Sequence, residues 1–250
     1  MLNSVLHGAP TETTPLLIAH GLFGSARNWG VIAKRLSDDR QVTALDMRNH
    51  AGSPWTETHS YPDLAKDLAQ AIPSTSDVLG HSMGGKAAMV LALNHPEKVR
   101  KLVVADIAPV TYGHTQQSMI DAMRAIDLSK IGSRRDADDQ LKLHVDDPGT
   151  RAFLLQSLDV SGKRWRLNLD VLQAEMSKII GFPDLDRPAF TGPTLFLSGA
   201  ESHYVGHEHR EKIKSLFPAA RFAKIPGAGH WLHADNPRAF EAAVAAFLAA

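Results

Sequence analysis

Six short apolar runs with almost no polar alternation punctuate the chain: 15–20 (PLLIAH), 41–47 (QVTALDM), 77–80 (DVLG), 99–106 (VRKLVVAD), 193–198 (PTLFLS) and 221–225 (RFAKI). A strand covered on one face alternates apolar and polar residues, and a strand covered on both does not. Stretches with helical spacing separate these runs. Residues 61–72 carry apolar side chains at 64, 65, 68, 71 and 72, and residues 82–94 are rich in Ala, Met, Val and Leu and stop before Pro96. After Asp235-Asn236-Pro237 the chain closes with an Ala-rich helix, with Asn236 placed to cap its first turn and Pro237 at its first position. Strands alternating with helices in this way imply an α/β fold, a mostly parallel sheet with helices on both faces.

The alternation stops between about residues 111 and 188. No clear pair of sheet strands lies there. The segment GSRRDADDQ, at 132–140, reads as a charged loop, and helix-like stretches lie near 119–128, 151–158 and 170–180. The expectation is a core domain made of 1–110 and 189–250, with a helical cap, 111–188, inserted after the strand that ends near Asp106. There is no internal repeat or low-complexity segment.

A chain of 250 residues has room for one such domain with its insertion. Its 44% hydrophobic and 22% charged residues are those of a globular protein, which excludes a disordered or fibrous chain. The formal net charge is zero, so there is no electrostatic reason to expect nucleic acid or an anionic membrane as partner. The absence of cysteine removes disulfides, thiolate zinc sites and cysteine nucleophiles, and suits a reducing compartment. The first residues, MLNSVLHGAP, lack a basic cluster followed by an apolar core. The longest apolar run, AAVAAFLAA at 242–250, is far shorter than the roughly 20 residues that span a bilayer. A cytoplasmic protein without membrane insertion is expected, its oligomeric state open.

Chemistry concentrates at Gly80-His81-Ser82-Met83-Gly84, which fits G-x-S-x-G and stands between an apolar strand and a helix. That setting is the one a nucleophile elbow requires. A sharp strand-to-helix turn strains the serine backbone, and a side chain two residues to either side would collide with its neighbours. The turn lifts the hydroxyl above the sheet edge and aims the Met83 N–H, at the positive end of a helix, into the same space. Serine needs a base to become nucleophilic. Of 13 histidines, His230 in Pro226-Gly227-Ala228-Gly229-His230-Trp231 has the suitable place, on a Gly-rich loop after the last strand.

In this order, His20-Gly21-Leu22-Phe23-Gly24-Ser25, Asp46-Met47-Arg48-Asn49-His50, Gly80 to Gly85, Val104 to Pro109 and Gly227-Ala228-Gly229-His230 resemble the α/β-hydrolase superfamily, and within it the small YbfF-type serine esterases. The resemblance covers the whole chain. It implies a Ser82…His230 pair and an oxyanion hole made by the N–H of Met83 and that of Leu22 or Phe23, with Phe23 also lining the acyl pocket. One departure is Ala51, where the family has Gly after Arg-Asn-His; Gly52 is expected to rebuild that turn one position later.

The acid that orients the histidine has two candidates. Most α/β-hydrolases carry it in the loop that here reads Gly199-Ala200-Glu201-Ser202-His203-Tyr204-Val205. Ser202 occupies the usual Asp position and cannot supply charge; Glu201 falls one residue early. Asp106 ends the strand that follows the nucleophile helix, on the same sheet edge as Ser82. Its apolar surroundings demand a partner for a buried charge. The resemblance also puts the acid there, so Asp106 is favoured over Glu201.

His203, His207 and His209 share one loop but lack the His-Glu-x-x-His spacing, and read as a solvated loop, with no metal and no cofactor expected. Lys163-Arg164-Trp165-Arg166 reads as a solvated basic run. Most of Met119, Met123, Phe153, Leu154, Trp165, Leu167 and Leu169 should form the core of the insertion. From this set Met119, Met123, Phe153 and Trp165 are expected to join Phe23 along an apolar slot above Ser82. The function expected is a serine carboxylester hydrolase. It would cleave short- to medium-chain acyl esters, or thioesters, through an acyl-serine. A C–C bond hydrolase or lyase of the same fold, or a ligand receptor, are the alternatives. Haloalkane dehalogenation would need a carboxylate at position 82.

Overall fold

The computed structural model describes residues 1–250. Its elements run β1 (Ser4–His7), β2 (Leu16–Ala19), α1 (Gly30–Arg35), β3 (Val42–Leu45), α2 (Tyr61–Ala71), β4 (Ser76–His81), α3 (Met83–Asn94) and β5 (Val99–Ala105). The inserted part follows as α4 (Gln117–Ala125), α5 (Arg134–Leu141), α6 (Pro148–Leu154), β6 (Leu158–Asp159), β7 (Arg164–Trp165), α7 (Leu169–Ala174) and α8 (Met176–Ile180). The chain then returns as β8 (Thr194–Gly199), α9 (Arg210–Leu216), β9 (Ala220–Ile225), α10 (Leu232–Asp235) and α11 (Pro237–Ala249).

All six apolar runs are strands of one seven-stranded sheet, ordered β1-β3-β2-β4-β5-β8-β9. Every pairing in it is parallel except that of β1 with β3. The missing alternation has the expected cause. Leu16 and Ile18 pack with Ile32 of α1 and Phe240 and Val244 of α11. Leu17 and Ala19, facing the other way, pack with Leu64 and Leu68 of α2 and Met89 of α3. β1 has no apolar signature because it is the outer, antiparallel strand, with Val5 and Leu6 exposed.

The chain leaves the sheet after β5 and re-enters at β8, its neighbour. One expectation fails here: 132–140 is no loop. Ser133 Oγ accepts from the Asp136 N–H at 3.2 Å, and Asp136 Oδ2 accepts from the Ser133 N–H at 2.8 Å, a reciprocal cap that starts α5. Its charges face solvent while Ala137 and Leu141 are buried. The helix read over 170–180 breaks at Glu175 into α7 and α8. β6 and β7 form a small hairpin apart from the main sheet.

One side chain of α3 ties the chain just after β5 to the end of α8. Lys86 is buried, and its Nζ donates to the carbonyls of Val110 (2.8 Å), Ile180 (2.9 Å) and Gly181 (2.5 Å). Burial pushes this lysine down to about 7, and the three carbonyl oxygens are the charged form's compensation. No helix is long and apolar enough to cross a membrane.

Candidate active site

β4 ends at His81 and α3 begins at Met83, so Ser82 carries the whole reversal, at φ 52° and ψ −119°. A non-glycine residue holds such a conformation only where its surroundings impose it. Two glycines make room. A Cβ at Gly80 would overlap the carbonyl of Gly84, and one at Gly84 would overlap the carbonyls of Ala19 and His20. The backbones of β2, β4 and α3 therefore touch behind the serine.

Ser82 Oγ donates to His230 Nε2 at 3.1 Å, and His230 Nδ1–H donates to Asp106 Oδ2 at 2.8 Å. His230 lies between β9 and α10, and Asp106 directly after β5 with φ 53°. Asp106 is fully buried. Two further donors converge on it: the Gly199 N–H at 3.1 Å and Ser202 Oγ at 2.5 Å. The Tyr204 ring stacks on the His230 imidazole at 4.1 Å, and His81 Nε2–H donates to the His230 carbonyl at 2.8 Å. The imidazole is thus held at both nitrogens, on one face and through its backbone. Glu201 is exposed and contributes only a backbone N–H bond to Ala228.

The turn after β2 lies against the serine, since a Cβ on Gly21 would stand 3.2 Å from Ser82 Cβ. Within it the Phe23 N–H donates to His50 Nε2 at 3.2 Å, whereas the N–H groups of Leu22 and Met83 have no protein partner. A cavity of about 310 Å³ opens over Ser82 and His230, with Leu22, Phe23, Met119, Phe153 and Leu154 in its walls. No three His, Asp or Glu side chains stand at metal-binding spacing.

Residues 14–237 match the family described as the alpha/beta hydrolase fold. The chain belongs to that family. It is 43% identical over 252 residues to the sn-1-specific diacylglycerol lipase ABHD11 of Mus musculus, covering 95% of this chain and 82% of that protein. It is 38% identical over 243 residues to the esterase YbfF of Escherichia coli K12, covering 95% and 94%. Among solved structures, a marine microorganism esterase superposes with a TM-score of 0.93 at 37% identity, covering 98% of each chain.

In this α/β hydrolase the structure corrects three expectations. Met123 and Trp165 do not reach the cavity. Both are buried inside the insertion, where the Trp165 indole N–H donates to the Met123 carbonyl at 2.9 Å. Ala51 keeps the left-handed turn itself, at φ 47°, rather than passing it to Gly52. Two contributors went unrecognised in the sequence. Ser202 carries no charge, yet its hydroxyl is one of the three donors that reach Asp106. Tyr204, two residues on, had no motif to mark it.

Around the site this hydrolase buries five neutral histidines. Desolvation is the first cause in each: it lowers His20 to about 4 and His50 and His233 to about 3, and holds His59 and His81 well below the usual value. The unfolded chain protonates them near 6.5, so below that pH it binds more protons than the folded one. Stability is therefore held above about pH 6.5 and lost as pH falls toward 4, by up to about 1.4 kcal/mol per pH unit for each histidine. Urea midpoints should fall steeply from pH 7 to pH 5; a flat profile would contradict the neutral assignment.

Proposed function

We propose that Ser82, His230 and Asp106 are the nucleophile, base and orienting acid of an acyl-ester hydrolase that works through an acyl-serine. Ester-bond hydrolysis is the activity named for relatives 38–43% identical along most of the chain, and this protein is an ester hydrolase. The observation that carries the residue assignment is the unbroken relay Ser82–His230–Asp106, at 3.1 and 2.8 Å.

Ser82 Oγ attacks the ester carbonyl carbon while His230 Nε2 takes its proton. The oxyanion is held by the N–H groups of Met83 and Leu22. Phe23 is set aside as a donor because its N–H is spent on His50. The tetrahedral adduct collapses, the carbon–oxygen bond to the alcohol breaks, and the imidazolium returns the proton to the departing oxygen. Water then enters, loses a proton to His230 and attacks the acyl carbon, and Ser82 leaves reprotonated. Asp106 keeps Nδ1 protonated so that Nε2 is free to act as base, and its charge stabilises the imidazolium.

The part between β5 and β8, residues 111–188, serves as the cap. Met119, Phe153 and Leu154 from it, with Phe23 from the core, form the acyl slot. A volume of about 310 Å³ is at the lower end of ligand pockets and supports short to medium acyl chains.

The test is hydrolysis of p-nitrophenyl esters from acetate to palmitate, with matching thioesters, before and after a serine-directed phosphonate. Turnover peaking at short to medium chains, and lost on stoichiometric labelling of Ser82, is the expected result. Labelling without ester turnover would point to carbon–carbon bond cleavage, and neither labelling nor turnover to a receptor.

A further inference from the structure

We propose that His50 and Ser157 are positioning residues for the oxyanion hole, holding the turn 21–24 in the form that presents the Leu22 N–H to the substrate, so that the cap builds part of the reacting site rather than only covering it. This rests on the acyl-serine reading above.

Phe23 stands at φ 63°, in the left-handed region that a residue with a side chain avoids. Something must hold it there, and both of its backbone groups are held. Its N–H donates to His50 Nε2 at 3.2 Å, and its carbonyl accepts from Ser157 Oγ at 2.9 Å, both buried. The Gly24 N–H closes the turn on the Gly21 carbonyl at 3.0 Å. The next residue back, Leu22, is the one whose N–H stays free. The Gly21 carbonyl that accepts from Gly24 shares a peptide plane with the Leu22 N–H; were Phe23 released from its two partners, the Gly24 N–H would lose its aim, and the Gly21–Leu22 peptide its fixed direction relative to Ser82.

Each partner is itself anchored, and the anchors meet. His50 Nδ1–H donates to the Arg48 carbonyl at 2.9 Å, which leaves Nε2 as the acceptor. Burial keeps the imidazole neutral, so that acceptor persists at working pH. Ala51, beside it, donates its N–H to the Arg166 carbonyl at 2.7 Å, and the Asn168 N–H donates to the Asn49 carbonyl at 3.0 Å, making a short antiparallel bridge between His50 and Leu167. The Arg166 N–H donates in turn to the Ser157 carbonyl at 2.8 Å. The path Phe23–His50–Ala51–Arg166–Ser157–Phe23 closes on itself. Three of its five residues come from the core and two from the cap. The left-handed Ala51, strained where a glycine would not be, is the joint that brings its N–H to Arg166.

The test compares Ser157→Ala, Ser157→Thr, His50→Gln and His50→Leu on a p-nitrophenyl ester and on its thionoester, whose sulfur is poorly held by an oxyanion hole. Ser157→Ala and His50→Leu should lower kcat on the ester by about tenfold, less than the loss of a whole oxyanion donor, with KM within about twofold. They should also shrink the ester-to-thionoester kcat ratio. Ser157→Thr and His50→Gln keep the hydroxyl donor and an acceptor oxygen, and should recover most of both. An unchanged ratio in Ser157→Ala, whether kcat falls or not, overturns the proposal; if that variant does not fold, the His50 pair decides by the same ratio. Absence of ester turnover in the unmodified protein would instead sink the acyl-serine reading, and this one with it.

Discussion

Ser82→Ala should lower kcat for ester hydrolysis by between about 10⁴ and 10⁶ while leaving the protein folded. The size follows from the mechanism. Without Oγ no acyl-enzyme forms, and what remains is water attacking an ester polarised by the oxyanion donors, a residual advantage of about 10³ to 10⁴ over solution. The fold should survive because the serine hydroxyl does nothing structural: it donates to His230 and to nothing else. Backbone strain at φ 52° is imposed by the contacts of Gly80 and Gly84 with neighbouring backbone, and alanine would bear it equally. The check is kcat on a p-nitrophenyl ester together with the melting temperature and phosphonate labelling. A variant within tenfold of the unmodified enzyme, still labelled by the phosphonate, would place the nucleophile elsewhere.

What could be read in advance, and what could not, divides along physical lines. Strands buried on both faces announce themselves, because a parallel sheet under two helix layers admits few polar residues; each of the six apolar runs is a strand within a residue or two of its expected ends, although β9, at the sheet's edge, leaves Arg221 and Lys224 exposed. The elbow was legible for a similar reason: Gly80 and Gly84 answer to backbone crowding that no other residue tolerates. Asp106 could be found because a carboxylate at the end of an apolar strand must have partners. Ser202 was harder, since its worth depends on pointing at Asp106 across the gap between β5 and β8, a relation no local pattern encodes. The same holds for Tyr204 against His230. Within the insertion the errors came from side-chain direction. Met119 and Met123 are one helical turn apart, yet only the first meets the cavity, and Trp165 is drawn inward by the Met123 carbonyl. Helix α5 was hidden because its capping residues, Ser133 and Asp136, sit in a run so charged that it resembles a loop.

Asp106→Asn should lower kcat by about 10⁴ with a modest change in KM, whereas Glu201→Gln should leave both within about twofold. The carboxylate receives three donors: the Gly199 N–H, the Ser202 hydroxyl and His230 Nδ1–H. An amide has one acceptor oxygen where the carboxylate has two. If that oxygen stays with Gly199, the new NH₂ group faces the imidazole and can only donate. The proton of His230 then moves from Nδ1 to Nε2, and a protonated Nε2 cannot accept from Ser82. If the amide turns the other way, the buried Gly199 N–H loses its acceptor and confronts a second donor, which destabilises the fold by about 1–3 kcal/mol. Either outcome removes the base or loosens the site, and the first accounts for the large fall in rate. Ser202→Ala should have an intermediate effect, about tenfold in kcat, because it strips one donor from the carboxylate without changing what the imidazole meets. The order Asp106→Asn, then Ser202→Ala, then Glu201→Gln is the measurable signature of an acid carried by the strand after the nucleophile helix. A large loss in Glu201→Gln with little change in Asp106→Asn would transfer that role to the loop after β8.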